Sequence, residues 1–88
     1  MVSFETVWKR IEAYAGAEFC QVRGGRFRYE AGSSFIRPDR TNQQIPRSHF
    51  EQAFALVPFA STAPLQRFRG PSYIYALLMD ERIRQGDW

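Results

Sequence analysis

An α+β fold follows from three features of the chain. Apolar side chains recur at helical spacing from residue 4 to residue 15. Short β-forming runs then flank a glycine pair between residues 19 and 37, and helix start and stop signals return from residue 48 onward. The expected architecture is an N-terminal helix, a three-stranded antiparallel β-meander, and two or three C-terminal helices packed on one face of the sheet. Residues 1–88 make one small domain: 44% of the chain is hydrophobic and 16% aromatic, enough to supply a core in a domain that buries about 60–65% of its unfolded surface.

The first helix is announced by Ser3, an N-cap residue flanked by Val2 and Val7 as a hydrophobic staple. Phe4, Val7, Trp8, Ile11, Tyr14 and Ala15 share one face, Glu5, Lys9, Arg10 and Glu12 fill the other, and Gly16 is a suitable stop.

Arg23-Gly24-Gly25-Arg26 then reads as a two-residue hairpin turn, because type I′ geometry takes positive φ at both central positions and glycine supplies it. With that turn, Arg23 faces Arg26, Val22 faces Phe27, Cys20 faces Tyr29 and Phe19 faces Glu30. A second turn at Gly32-Ser33 sets Arg28 opposite Arg37. Alternation along the strands sorts Cys20, Val22, Phe27, Tyr29, Ala31 and Ile36 onto a core face. Phe19, Gln21, Arg23, Arg26, Arg28, Glu30, Phe35 and Arg37 fall on the outer face.

Residues 38–46 form a polar connector without a period. Ser48 and Glu51 make an S-x-x-E capping box for a helix carrying Phe50, Ala53, Phe54 and Val57. Thr62-Ala63-Pro64 starts a single helical turn. Pro71 occupies the first turn of a last helix, apolar nearly all round and therefore central, which continues to Ile83 with an Asp80–Arg84 pair and stops at Gly86.

Little in the sequence specifies catalysis. Cys20 is the lone cysteine and His49 the lone histidine; the hairpin register turns Cys20 into the core, where a thiol is inert. No carboxylate pair, phosphate loop or zinc spacing is present, and neither a cofactor nor a metal is expected. The helices could be ordered as a helix-turn-helix, but the first half of the last one, Tyr73-Ile74-Tyr75-Ala76-Leu77-Leu78, suits a core better than a DNA groove. Without an apolar run of about 18 residues, a signal peptide or a possible internal disulfide, a cytoplasmic protein is expected, with no membrane partner.

Charge points to a surface. All but one of the 12 basic residues are arginine, and net charge is +3. Between Phe19 and Arg47 six arginines stand against Glu30 and Asp39. Arginine's flat, forked cation suits phosphates and base faces. The expected site is therefore a nucleic-acid surface, of the physical pattern that single strands also use. Arg23, Arg26, Arg28 and Arg37 would track phosphates, Arg40 and Arg47 would extend the surface, and Phe19 and Phe35 would stack on bases. The alternative is a protein–protein or homodimer interface on the same face, where arginine and aromatic residues are also enriched.

Overall fold

The computed structural model describes residues 2–88 and has the α+β architecture. Helix α1 (Phe4–Ala13) is followed by five short strands: β1 (Phe19–Cys20), β2 (Arg26–Phe27), β3 (Tyr29–Ala31), β4 (Phe35–Pro38) and β5 (Ile45–Pro46). Helix α2 (Arg47–Phe54), a tight turn at Ala63–Leu65, and helices α3 (Pro71–Leu78) and α4 (Glu81–Arg84) complete it.

Helix α1 forms as its pattern dictates. The Ser3 hydroxyl accepts the Thr6 amide at 3.3 Å, and Val7, Trp8 and Ile11 are buried. Gly16, at φ +90°, turns the chain so that its amide donates to the Tyr29 carbonyl at 3.0 Å. The Tyr29 hydroxyl in turn donates to the Ile11 carbonyl at 2.6 Å, tying the helix to the sheet.

The strands differ from expectation in membership and register. A three-stranded antiparallel sheet exists, but it is β3-β4-β5, and β1-β2 form a separate two-stranded ribbon. Only Gly24 of the glycine pair has positive φ (+89°). The Gly24 amide donates to the Gln21 carbonyl at 2.9 Å, and the Gln21 amide donates to the Gly25 carbonyl at 2.7 Å. The loop is therefore Val22-Arg23-Gly24, a three-residue hairpin with glycine at the left-handed position, not a two-residue turn centred on Gly24-Gly25. Phe19 consequently pairs with Phe27, and Cys20 with Arg26. That is a slip of three positions, and an odd slip exchanges the faces of a strand. Phe19 is buried while Cys20 and Val22 are exposed, the reverse of the expected sorting.

The second hairpin closes on Ser33-Ser34, with the Gly32 amide donating to the Phe35 carbonyl at 2.9 Å. Tyr29 thus faces Pro38, Glu30 faces Arg37 and Ala31 faces Ile36. The slip here is two positions, so Tyr29 and Ile36 stay buried but Arg28 no longer opposes Arg37. Part of the connector also becomes a strand, since Ile36 pairs with Ile45 and Phe35 with Pro46.

Several helix boundaries move: α1 ends at Ala13, leaving Ala15 exposed, and α2 ends at Phe54, short of Val57. The Arg47 amide donates to the Ser34 carbonyl at 2.8 Å, so β5 runs directly into α2. Pro46 takes the N-cap position without a side-chain cap, and the Ser48/Glu51 capping box is not made. Helix α3 begins at Pro71 as expected but ends at Leu78, because Asp80 caps a new helix by accepting the Arg82 amide at 2.9 Å. The Leu78 carbonyl freed at this break accepts the Trp88 indole N–H at 2.7 Å. Arg84 donates to the Trp88 carbonyl instead of pairing with Asp80. Helix α3 is central but not buried all round: Ile74, Ala76, Leu77 and Leu78 are buried, whereas Tyr73, Tyr75 and Met79 at its end are half-buried.

Gly70 joins the C-terminal helices to the sheet at close quarters. It has φ +61°, and a Cβ there would lie 2.6 Å from Cδ1 of the fully buried Ile45. Gly70→Ala is expected to cost about 2–4 kcal/mol in denaturant unfolding, the left-handed penalty adding to overpacking. Gly16→Ala, with φ +90° but open space around it, should cost only about 1–2 kcal/mol.

Candidate functional site

The slip at Gly24 removes Phe19 from the expected surface. Its ring is 1% exposed and packs at 6.1 Å from Phe27 and 5.6 Å from Tyr29. The Arg82 guanidinium covers its other side, 3.9 Å from the ring centroid, where a base was expected to stack. Arg82 is held by Asp80, whose Oδ1 accepts the guanidinium Nε–H at 2.9 Å and whose Oδ2 accepts from Nη2 at 3.0 Å. Burial alone would raise the Asp80 carboxyl, but the hydrogen bonds and charge of Arg82 outweigh it and hold the pKa below its usual value. Phe35 is half-buried. Its ring lies over Gly32 across the hairpin, 2.7 Å from where a glycine Cβ would stand, an aromatic cover for a cross-strand glycine.

The expected arginines divide into two groups. Arg37 bonds the Glu30 carboxylate at 3.0 Å across β3-β4, so the anticipated like-charge opposition is replaced by an ion pair. Arg28 donates to the Gly16 carbonyl at 2.7 Å and lies 3.9 Å from Glu18. Arg26 lies 3.6 Å from the same carboxylate. Arg47 is a brace between helices: it bonds Glu5 at 2.6 Å, and its guanidinium carbon sits 5.4 Å from the Phe4 ring and 5.7 Å from Trp8. Its hydrogen bond and charge depress the Glu5 pKa. Each of these four has a carboxylate within 4.0 Å, although Arg26 and Arg28, both exposed, share the single one on Glu18.

Arg23 and Arg40 remain, and Arg69 joins them. None has a carboxylate within 4.0 Å among the described residues. Arg23 is exposed at the tip of the β1–β2 loop. Arg40 lies over Gly25, its guanidinium close to where a Cβ would stand, and donates to Gln21 Oε1 at 3.3 Å. Gln21 Nε2 donates to Ser72 Oγ at 2.8 Å. Arg69 donates to the Gln44 carbonyl at 3.2 Å, and its amide donates to Nδ1 of His49 at 3.1 Å. Three loops, residues 21–25, 39–44 and 69–72, are thereby stitched together, each carrying one free arginine.

Beside this cluster lies a groove of about 550 Å³, lined by Gln21, Val22 and Arg23 of the first loop, by Ala60, Ser61, Thr62 and Gln66, and by Pro71, Ser72 and Tyr75 of α3. Its volume falls in the range of about 300–1,000 Å³ usual for ligand sites. A shallower depression of about 170 Å³ holds Cys20, Val22, Tyr75 and Met79.

Sequence reasoning missed Arg69 and the groove. One signal for Arg69 was present: Arg67 and Arg69 sit in a stretch without an acidic residue from Gln52 to Met79. The groove has no such signal, because segments far apart in the chain build it. Among the described residues no group of three His, Cys, Asp or Glu side chains could hold a metal, and no helix is long and apolar enough to cross a membrane. No family model, curated protein or solved structure matches the chain.

Asp80→Ala removes both the cap of α4 and the anchor of Arg82 over Phe19. It should cost about 1–2 kcal/mol at pH 7. Because the Asp80 pKa is depressed in the fold, its contribution is fully present above the ordinary value of 3.8 and is lost as pH falls through the lower folded value. Urea titrations of the two proteins should therefore diverge at pH 7 and draw together only as pH falls below the ordinary value of 3.8.

Proposed function

We propose that the chain is a small non-enzymatic binding module that contacts the phosphate backbone of nucleic acid through Arg23, Arg40 and Arg69. What carries this reading is the convergence of three loops, each bearing an arginine without a carboxylate partner, through the Gln21–Arg40, Gln21–Ser72 and Arg69–Gln44 hydrogen bonds. Elsewhere seven of the eight arginines lie within 4.0 Å of a carboxylate, Arg67 being the exception, whereas these three loops set three arginines against Asp39 alone. A polyanion supplies what those guanidiniums lack. The sheet face, with Arg26, Arg28 and Arg37 already paired, contributes less than its arginine count suggests. A cytoplasmic setting accords with the proposal, since Cys20 is a free and exposed thiol.

A protein partner or second copy of the chain is the other reading, favoured by Val22, a large apolar side chain left 62% exposed beside the half-buried Tyr75 and Met79. Such a contact would persist at high salt, whereas phosphate contacts weaken through counterion uptake. Light scattering at low and high salt reports self-association directly.

In titrations with labelled oligonucleotides, three phosphate contacts should give a log–log salt slope of about −2 to −3. Alanine at Arg23, Arg40 and Arg69 together should flatten it, while alanine at Arg26 and Arg28 changes it by less than one contact. Absence of binding even at low salt would falsify the proposal.

A further inference from the structure

The groove beside the arginine cluster has the make-up of a pocket for one unpaired nucleotide. Its lining contains a single charged side chain, Arg23, and no acid. An occupant complementary to it therefore carries an anionic group for Arg23 and a partly apolar body for the rest of the lining. Tyr75 supplies a surface for such a body. It is half-buried, and its ring packs against Phe59 at a centroid distance of 6.0 Å, so it is held in place without a ligand. Val22, exposed and apolar, lines the same groove.

The polar lining could read the edge of a base. The Tyr75 hydroxyl makes no hydrogen bond among the described residues. Gln66 uses only its Nε2, which donates to the Thr62 carbonyl at 3.3 Å and to its hydroxyl at 3.4 Å, leaving Oε1 free to accept. Gln21 and Ser72, by contrast, already bond each other and act as a fixed wall. An aromatic ring, an apolar side chain, a free donor and acceptor, and a cation lining one groove together are the elements by which an extruded base is held.

We infer that this groove takes a single base, stacked on Tyr75 beside Val22 with its phosphate on Arg23, and so gives the protein a preference for single-stranded over double-stranded nucleic acid. This rests on the nucleic-acid reading and adds the strandedness and the residues that impose it. A paired base is stacked within its helix and cannot enter without being extruded, which a duplex resists.

Fluorescence anisotropy with a labelled 12-nucleotide oligothymidylate and with a 12-base-pair duplex tests the inference. The single strand should bind at least several-fold more tightly. Tyr75→Ala should weaken single-strand binding about ten-fold, within the range for loss of one base stack, and should leave duplex binding unchanged. Since Tyr75 is half-buried, Val22→Trp provides a second probe on the exposed loop. Filling the groove should cut single-strand binding without altering thermal unfolding. A third readout uses thymidine monophosphate alone, which should shift the amide resonances of Gln66 and Tyr75. Equal affinity for the two oligonucleotides, with no effect of either substitution and no shift, would overturn the groove while leaving the arginine contacts standing. Failure of both oligonucleotides to bind would remove the two readings together.

Discussion

The left-handed conformation of Gly24 is the constraint on which the arrangement of side chains depends. It closes the β1–β2 loop on three residues and so decides which neighbours of the loop point inward. Phe19 is sent into the core, and a buried ring of that size needs cover on every side. Phe27 and Tyr29 supply part of it and the Arg82 guanidinium supplies the rest. Arg82 can lie flat over an aromatic ring because Asp80 binds it through both oxygens, and Asp80 stands at the right place because the last helix breaks there. A single backbone conformation near residue 24 is thus linked to a helix boundary near residue 80.

The arginines follow a second rule, that a cation near a carboxylate is part of the scaffold and one without it is available. Ion pairs at the surface add little stability individually, yet they determine where the field of the protein is left uncancelled. Arg47 shows how far an arginine can be absorbed, with a carboxylate at one edge of its guanidinium and two aromatic rings at its face. Arg23, Arg40 and Arg69 are the opposite case. Their contacts are with amide and carbonyl oxygens or with solvent, which leaves the positive charge unneutralised.

Helix α3 connects core and surface. Tyr73 meets Phe27 edge-on at 4.9 Å and helps bury the ribbon. Tyr75, two residues on, falls on a different side of the helix and lines the groove. The apolar composition of this helix therefore serves two ends, and composition alone does not separate them. Gly25 serves a similar double purpose in the loop: it follows the turn, and by lacking a side chain it lets Arg40 come to rest against the backbone.

What depended on neighbours in the chain was legible from the sequence. The Ser3 cap and the Val7, Trp8, Ile11 stripe, the start of α3 at Pro71, the turn at 63–65 and the α+β class all follow from contacts spanning three or four residues. Strand register did not, because two adjacent glycines satisfy a two-residue and a three-residue loop equally well on local grounds. The choice between them falls to packing: burying Phe19 with Phe27 and Tyr29 while exposing Val22 puts the larger ring inside. The same holds for β5, which gains its ladder only beside β4, and for the break at Asp80, which requires Arg82 and Phe19 to be in place. Sequence by itself determined which segments coil and where arginine is abundant. Tertiary structure decided which arginines are free, because a charge is cancelled by what lies beside it in space.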